Sequence, residues 1–332
     1  MRALIIGGTR NLGPSLVEAL LAAGHQVAVF NRGQTPGVLP DGVERLCGDR
    51  DDASQLQAAL GGREFELVVD TTLYTGPHAE TIASLLDGRV GRYVVLSTGQ
   101  VYLVRLGLQP PFREDQYDGE VMPRPPEHDE FELDEWSYGA QKRDAEDALM
   151  RAWAQRRFPV TVLRLPMVNS ERDHFDRIYG YLTRLWDGGP ILVPSEPGLL
   201  LRHVYGGDVI AAILQAADSD AALGRAFNVS QDETSTLEEF LAMLGERAEV
   251  QPRLVRLPRA RLEAEHLLPT CSPFSGTWMS RLDNRLGVRE LGLRYTPLSE
   301  YLTRLVSHYQ SQRPSPPIGY DQRPRELELA NA

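Results

Sequence analysis

The chain has 332 residues, of which 42% are hydrophobic and 24% charged, a composition that predicts a globular protein and excludes a largely disordered one. Its formal net charge of -11 argues against a nucleic-acid-binding protein, because phosphate contacts require a basic surface. No apolar run reaches the roughly 18 residues that cross a membrane, and the chain starts without a signal peptide, so we expect a cytoplasmic protein.

Two composition details concern candidate functional residues. The cysteines, Cys47 and Cys271, are isolated and lack the spacing of a zinc site, so neither a disulfide framework nor a metal site is predicted. Of the 35 basic residues only Lys142 is a lysine, and all the others are arginine. A drift this strong towards arginine would replace any lysine that is needed only for its charge. We infer that Lys142 is kept because an ammonium group is required there.

The first half of the chain alternates short β-rich runs with amphipathic stretches. This order predicts a Rossmann-type α/β fold, a doubly wound parallel sheet with helices on both faces. Strands are predicted at residues 4–6, 27–30, 67–69, 93–96 and 160–165. Helices are predicted at residues 14–23, 78–86, 175–186 and 207–217, then after the capping-box residue Thr236 and after Ser299.

The length and the change of pattern after residue 165 suggest two domains. We expect a dinucleotide-binding Rossmann domain at residues 1–165, with 202–230 returning to it. A smaller C-terminal substrate-binding domain would comprise residues 166–201 and 231–311, and residues 312–332 would form a mobile tail. Residues 104–136, rich in proline and acids, are predicted to be a long loop, either a lid over a substrate cleft or a solvated excursion.

A glycine-rich turn directly follows the first strand and reads Gly7-Gly8-Thr9-Arg10-Asn11-Leu12-Gly13. Glycines in a strand-turn-helix let the backbone approach a pyrophosphate, which the free N–H groups of the helix amino end then bind. The turn therefore predicts a dinucleotide site that includes Gly7, Thr9, Arg10, Asn11, Leu12 and Gly13.

The second strand ends in Phe30-Asn31-Arg32-Gly33, at the distance where an NAD site places an acid against the ribose 2′-hydroxyl. No acid is present, and Arg32, together with Arg10, could pair with a 2′-phosphate instead. We therefore expect NADP, with NAD as the alternative if both are ordinary surface arginines. Asn31 is included in the site. Asp49 could accept a hydrogen bond from the adenine amino group or could be a plain turn residue.

Tyr138-Gly139-Ala140-Gln141-Lys142 follows the acidic segment. Tyr138 and Lys142 are four residues apart and share one helix face, so the cation could lower the pKa of the phenol towards working pH. A tyrosine with such a pKa can exchange a proton with a substrate oxygen. Because this motif contains the chain's one lysine, it is the strongest catalytic signal in the sequence.

In order and spacing these motifs resemble the short-chain dehydrogenase/reductase (SDR) superfamily, specifically its extended branch, the NAD-dependent epimerase/dehydratase family. In Leu96-Ser97-Thr98-Gly99-Gln100-Val101-Tyr102, the resemblance implies that Thr98 supplies the third catalytic hydroxyl. The Gly-Gly-Thr-Arg turn looks like the atypical subgroup that contains chloroplast stem-loop RNA-binding proteins. Thr71 and Pro166, each after a predicted strand, complete the expected cofactor-binding set.

The sequence departs from the family where sugar 4,6-dehydratases carry a catalytic Asp-Glu pair, because Gly99 and Gln100 stand there. The resemblance instead implies hydride transfer between NADP(H) and a ketone or secondary alcohol of a small or sugar-like substrate. Tyr138 would be the acid/base, Lys142 would lower its pKa and bind the nicotinamide ribose, and Thr98 would orient the substrate oxygen.

Two alternatives for the function remain at this point. One is an epimerase that retains tightly bound NAD(P). Another is a catalytically retired member that binds RNA or a protein, against which the acidic balance and the complete catalytic set count. Membrane and nucleic-acid partners are not expected. The resemblance implies a homodimer, in which the helix at residues 78–86 and the Tyr138–Lys142 helix pair across a two-fold axis. The apolar stripe of Ala79, Ile82, Ala83 and Leu86 would face the partner chain.

Overall fold

The computed structural model describes residues 1–35, 39–196, 199–312 and 314–332. The chain forms two compact units. Unit 1 comprises residues 1–166, 206–230 and 280–294, and unit 2 comprises residues 167–205, 231–279 and 295–332. Within the described ranges no helix is both long enough and apolar enough to cross a membrane.

Strands and helices follow one another along most of the described chain. The strands are β1 (Arg2–Ile6), β2 (Gln26–Asn31), β3 (Glu44–Cys47), β4 (Phe65–Asp70), β5 (Val90–Thr98), β6 (Val160–Leu165), β7 (Val168–Asn169), β8 (Ile191–Pro194), β9 (Leu200–Leu201), β10 (Val204–Tyr205), β11 (Arg225–Asn228), β12 (Ser235–Thr236) and β13 (Leu254–Leu257). The α-helices are α1 (Leu12–Ala22), α2 (Ala53–Leu60), α3 (Gly76–Leu85), α4 (Gln100–Leu103), α5 (Glu130–Arg156), α6 (Arg177–Trp186), α7 (Gly206–Ala217), α8 (Leu237–Arg247), α9 (Arg259–Ala264), α10 (Arg285–Leu291), α11 (Leu298–Gln312) and α12 (Arg323–Ala330).

Unit 1 is built on a seven-stranded parallel sheet in the order β11-β6-β5-β4-β1-β2-β3. The strand order reverses at β1, whose neighbours are β2 and β4. Such a switch point leaves a crevice at the carboxyl ends of the strands, where doubly wound sheets bind ligands. The predicted Rossmann-type fold is therefore confirmed, and all five predicted strands lie within β1, β2, β4, β5 and β6.

Both faces of this sheet are covered, which explains its nearly continuous apolar strands. In β1 the residues from Ala3 to Ile6 are all buried. Helices α1 and α7 pack together, as do α3 and α5. The predicted apolar stripe of α3 belongs to this core, because Ala79, Ile82, Ala83 and Leu86 are fully buried within the chain itself. The argument for a homodimer from that stripe is therefore wrong.

Residues 104–136 are more ordered than the predicted loop. Helix α5 begins at Glu130, and the side chain of Asp129 caps it by accepting a hydrogen bond from the backbone N–H of Glu132. The indole of Trp136 donates to the carbonyl of Met122 at 3.0 Å, and the Tyr117 hydroxyl donates to Asp147 at 2.9 Å. The acidic stretch of this segment is thus the first two turns of α5, because acids are favoured at a helix amino end.

Unit 2 has its own apolar core, contributed mainly by α6, α8 and α11. Beside it, β8 pairs with β13. The predicted capping box of α8 is present, since Thr236 Oγ1 accepts from the N–H of Glu239 and the Glu239 carboxylate accepts from the N–H of Thr236.

The observed boundaries differ from the expected domains in two places. Residues 280–294 are part of unit 1 rather than of the substrate domain, because Asn228 binds the carbonyl of Asp283 and Phe112 bridges to Leu282. Residues 323–330, expected in a mobile tail, form α12, and Arg323, Glu326 and Leu329 are buried there. Arg313, in the same predicted tail, lies outside the described residues.

A buried ion pair holds α12 in unit 2. The guanidinium of Arg184 donates to both carboxylate oxygens of Glu326, and both side chains are fully buried. We expect Glu326→Ala to lower the free energy of unfolding of unit 2 by about 3–5 kcal/mol, because it leaves the Arg184 charge buried and unpaired. Denaturant unfolding measures this.

The matched control is Glu328→Ala on the same helix. Glu328 pairs with Arg325 at an exposed position, so we expect its replacement to cost at most about 1 kcal/mol. Equal effects of the two substitutions would contradict the assignment of Glu326 as the residue that holds the helix.

Candidate active site

The glycine-rich turn leads from β1 into α1 at the switch point of the sheet. Gly7 and Gly8 have positive φ angles of 104° and 78°, which side chains with a Cβ rarely adopt. A Cβ on Gly13 would overlap the backbone of Gly8, and a Cβ on Gly7 would overlap the Thr71 hydroxyl. The turn is therefore closed tightly onto the amino end of α1. Its shape fits a pyrophosphate bound by backbone N–H groups.

Asn31 fixes the end of β2 beside this turn. Its Nδ2 donates to the carbonyl of Gly7 at 3.2 Å, and its Oδ1 accepts from the N–H of Gly33 at 2.8 Å. Arg32, between them, is exposed, and so is Arg10. Among the described residues neither arginine pairs with a carboxylate. Both guanidinium groups are thus available to an anion bound at the carboxyl ends of the strands.

The remaining predicted cofactor residues have local partners. The carboxylate of Asp49 accepts from the N–H of Asp51 at 3.0 Å, as a turn residue would. The Thr71 hydroxyl donates to the carbonyl of Ile6 at 2.9 Å and so supports the glycine turn from behind. Pro166 is buried directly after β6. Their roles in cofactor binding stay predictions.

Thr98 and Tyr138 meet at the carboxyl end of β5. Thr98 is the last residue of β5, and its Oγ1 accepts from the N–H of Gln100 at 3.2 Å. A hydrogen bond with Thr98 lowers the pKa of Tyr138, but desolvation outweighs it and, with Tyr74 and Glu135, raises that pKa to about 12. Tyr138 keeps 37% of its surface exposed, although desolvation dominates the pKa of its hydroxyl group. In this geometry Tyr138 is a neutral proton donor.

Lys142 lies one turn further along α5 and is buried, with 4% of its surface exposed. Its Nζ donates to the carbonyls of Leu73 at 2.6 Å and Leu96 at 2.8 Å. Burial lowers the pKa of Lys142 to about 8, although the charges of Glu146 and Asp70 oppose this shift.

The expectation that Lys142 lowers the pKa of Tyr138 is not met in this geometry. The ammonium group is directed at two backbone carbonyls, and the pKa of the phenol is raised because its desolvation dominates. Tyr74 lies close to both side chains, with its ring centroid 5.7 Å from Nζ and 6.3 Å from the centroid of the Tyr138 ring.

A buried hydrogen-bond network holds α5 one turn after Lys142, at Glu146. Arg164 on β6 donates to the Glu146 carboxylate at 2.6 Å and to the Tyr102 hydroxyl at 2.6 Å. The Ser97 hydroxyl also donates to Glu146, and Tyr102 donates to Asn228 at 2.9 Å. These contacts connect α5 to β5, β6 and β11, so Tyr138 and Lys142 lie on a rigid element.

A second pair of residues at this site was not predicted. The Nε2 of Gln100 donates to the carboxylate of Glu135, which precedes Tyr138 by three residues on α5. Burial and the charges of Glu132 and Asp134 raise the pKa of Glu135, whereas the hydrogen bond from Gln100 acts in the opposite direction. The capping residue Asp129 was the sequence signal that could have placed Glu135 on the catalytic helix.

The structure also explains why Gly99 has no side chain. A Cβ at this position would overlap the hydroxyl of Ser280, which unit 1 receives from the distant segment 280–294. An aspartate, as in the dehydratase pair, does not fit here unless Ser280 moves. Together with the amide of Gln100, this removes the groups that such a dehydratase would use.

Comparisons with known proteins support the resemblance found in the sequence. No family model matches the chain. It is 26% identical to the 2′-dehydrokanamycin reductase of Streptomyces kanamyceticus over 68% of this chain. It is also 26% identical to the chloroplast stem-loop binding protein of 41 kDa b of Arabidopsis thaliana over 71% of this chain. Both matches cover only 60% of the relative's own length.

Solved structures agree on the fold. The UDP-glucose 4-epimerase of Thermotoga maritima, solved with UDP-glucose, matches with a TM-score of 0.74 and 17% identity, over 95% of this chain and all of that one. Two dTDP-glucose 4,6-dehydratases and a UDP-glucuronic acid 4-epimerase, with TM-scores of 0.70 to 0.72, were solved with NAD. The predicted resemblance to epimerase/dehydratase-type extended SDR proteins is therefore confirmed, and at this identity the structural likeness shows the fold alone.

The pKa of Lys142 can be measured directly, because a protein labelled with [13Cε]lysine gives a single lysine signal. We expect this signal to titrate near pH 8 instead of near 10.5, since burial disfavours the charged form. NMR between pH 6 and 11 measures it. The folded protein thus binds fewer protons than the unfolded chain between these values, so this group's contribution to stability rises with pH there.

Tyr138→Phe is the control, since it removes a neighbouring hydroxyl without touching either carbonyl that accepts from Nζ. It should leave the signal near pH 8. A wild-type titration at the ordinary lysine value would contradict the burial described above.

Proposed function

We propose that the protein is an NADP(H)-dependent oxidoreductase of the extended SDR type. It would transfer a hydride to or from the ketone or secondary alcohol carbon of a sugar-like small molecule. The observation that carries this proposal is the position of the chain's one lysine, which is buried on the same helix as Tyr138, at the carboxyl ends of the strands of a doubly wound sheet. Thr98, hydrogen-bonded to Tyr138, completes the set.

Residues of this chain would have the following roles in the reaction. The turn from Gly7 to Gly13 would bind the pyrophosphate through its N–H groups, and Lys142 would bind the nicotinamide ribose. When bound, the cofactor supplies or accepts the hydride. Thr98 would hold the substrate oxygen by a hydrogen bond, and Tyr138 would give that oxygen its proton during reduction. The neutral state of Tyr138 suits the direction of ketone reduction.

Two features support NADP over NAD. Arg10 and Arg32 are exposed beside the turn, where a 2′-phosphate on the adenosine ribose would be paired by guanidinium groups. Asn31, whose side chain binds backbone on both sides, holds the strand end from which Arg32 projects. The NAD bound to solved neighbours supports a nicotinamide cofactor without deciding the 2′ substituent.

The substrate class follows from the relatives. The Streptomyces relative is named a 2′-dehydrokanamycin reductase, and the structural neighbour from Thermotoga was solved with UDP-glucose. Both names are compatible with a sugar substrate that carries a ketone or a secondary alcohol. We therefore propose a keto sugar or its alcohol as the substrate.

An epimerase is the second candidate, because enzymes of that class have this fold. It would retain its cofactor, oxidise the substrate and reduce the opposite face. Purified protein that carries tightly bound oxidised nucleotide would favour it. The likeness to the stem-loop binding protein leaves an RNA-binding member as a third reading, which the net charge of -11 disfavours. Cytoplasmic location and a homodimer stay predictions.

Arg32→Ala tests the choice of cofactor. We expect NADPH to bind the wild type more tightly than NADH, and the substitution to weaken NADPH binding about tenfold to a hundredfold, since a charge-assisted pair is lost. NADH binding should change little. Fluorescence titration with both cofactors measures this.

Arg63→Ala is the matched control. Arg63 lies just before β4, at the amino ends of the strands and therefore opposite the glycine-rich turn, and it pairs with Glu44. It should leave both affinities unchanged. Equal affinity of the wild type for NADPH and NADH would refute the NADP proposal.

Lys142→Arg tests the catalytic set. The wider guanidinium is not expected to reproduce the ammonium contacts with Leu73 and Leu96, so turnover should fall roughly 100-fold or more, nearly as far as in Tyr138→Phe. The double variant should be little worse than either single one, since the two residues act as a unit. NADPH oxidation with 2′-dehydrokanamycin and other keto sugars measures this.

Melting temperatures of the variants show whether each one folds. Wild-type turnover in a folded Lys142→Arg variant would remove the main support for the proposed function.

A further inference from the structure

Gln100 and Glu135 form a contact that the catalytic set does not use. Gln100 is the first residue of α4 and is buried, with 8% of its surface exposed, and its side chain donates to the Glu135 carboxylate. Its backbone N–H donates to Thr98 at the same time. One residue is therefore bonded both to a catalytic hydroxyl and to a carboxylate.

The close packing of α4 against α5 keeps Gln100 beside Glu135. A Cβ on Gly139 would lie 2.6 Å from Val104 and 2.9 Å from the carbonyl of Gln100, so only a glycine lets the helices come this near. Glu135 and Tyr138 are three residues apart on α5 and share a face, at a Cβ separation of about 5–6 Å. The charge of Glu135 acts on the Tyr138 phenol.

The surroundings of Glu135 favour its protonated form. It is half-buried, and the neighbouring acids Glu132 and Asp134 raise its pKa further, while Gln100 is the group that stabilises its charge. A carboxyl group with a raised pKa keeps its proton to higher pH than an ordinary glutamate, so it can donate that proton to a neighbouring base and recover one from solvent.

We propose that Glu135 is the proton donor that restores Tyr138 after each reduction, and that Gln100 is the positioning residue for it. The inference rests on the proposed function. The carbonyl carbon receives a hydride, and the carbonyl oxygen takes the phenolic proton of Tyr138. The phenolate then takes the proton of the Glu135 carboxyl group, and the carboxylate takes one from water. The sum is ketone, NADPH and one proton going to alcohol and NADP⁺.

A spectroscopic titration comes first and needs no substrate. In protein labelled with [13Cδ]glutamate, the Glu135 signal is assigned by its loss in Glu135→Gln. We expect it to titrate above the ordinary glutamate value of about 4.3. Gln100→Leu removes the donor to the carboxylate, so the midpoint should move to still higher pH. An ordinary midpoint that Gln100→Leu leaves unchanged would overturn the proposal.

The kinetic measurement uses NADPH with 2′-dehydrokanamycin and a 4-keto sugar nucleotide as probes. Reduction needs the protonated carboxyl group, so the wild-type rate should fall as pH rises through the midpoint found by NMR. In Gln100→Leu this decline should move with the NMR midpoint. In Glu135→Gln the rate at neutral pH should fall about tenfold and the decline should vanish.

Two further variants separate this role from a structural one. Formate should restore part of the rate of Glu135→Ala, because it can replace the missing carboxyl group. Glu130→Gln, the same charge change at an exposed position of α5, should behave as the wild type.

A decline that persists in Glu135→Gln, or that does not follow the NMR midpoint, would overturn this inference and leave the proposed function intact. A folded wild type that oxidises NADPH with neither probe would overturn both.

Discussion

The site in unit 1 depends on charged side chains that are buried near the middle of α5. Lys142 binds the carbonyls of Leu73 and Leu96, and Arg143 binds those of Val101 and Tyr117. Glu146 accepts from the Arg164 guanidinium. A buried charge costs several kcal/mol unless its hydrogen bonds are made. A shift of α5 along its axis would break these hydrogen bonds at all three residues together. The helix therefore has one stable register, and that register brings Tyr138 to Thr98.

The same feature explains what could be predicted from the sequence and what could not. The glycine turn and the strands around it follow from local rules of backbone geometry and apolar pattern, and they were predicted correctly at the level of the fold. The first two turns of α5 are mostly acidic and contribute none of its buried residues, which begin at Gly139, so apolar periodicity does not reveal these turns. Glu135 was assigned to a loop for this reason, although Asp129 carried the capping signal.

Other parts of the site lie far apart in the chain. Ser280 fills the space beside Gly99, and Asn228 binds the carbonyls of Phe112 and Asp283, which brings three separate segments together. No local rule predicts such pairings, because they depend on which distant side chain completes a buried hydrogen bond. The assignment of residues 280–294 to unit 1 could therefore only come from the structure. The sequence did show that a dehydratase pair is missing, and Ser280 supplies the steric reason.

The chemistry of the site explains why Lys142 is the one lysine in a chain whose other basic residues are arginine. Arginine stands at every other basic position, including the buried Arg164 and Arg184, so burial alone does not exclude a guanidinium. The buried Arg143 also donates to two carbonyls, so the kind of acceptor does not by itself require a lysine. What distinguishes position 142 is its place one turn after Tyr138 on α5, together with a pKa that burial lowers to about 8. A compact ammonium satisfies two carbonyls and can lose its proton near pH 8, whereas an arginine keeps its charge at any working pH. A compact basic group whose charge responds to its neighbours is therefore supplied at this position by lysine and not by arginine.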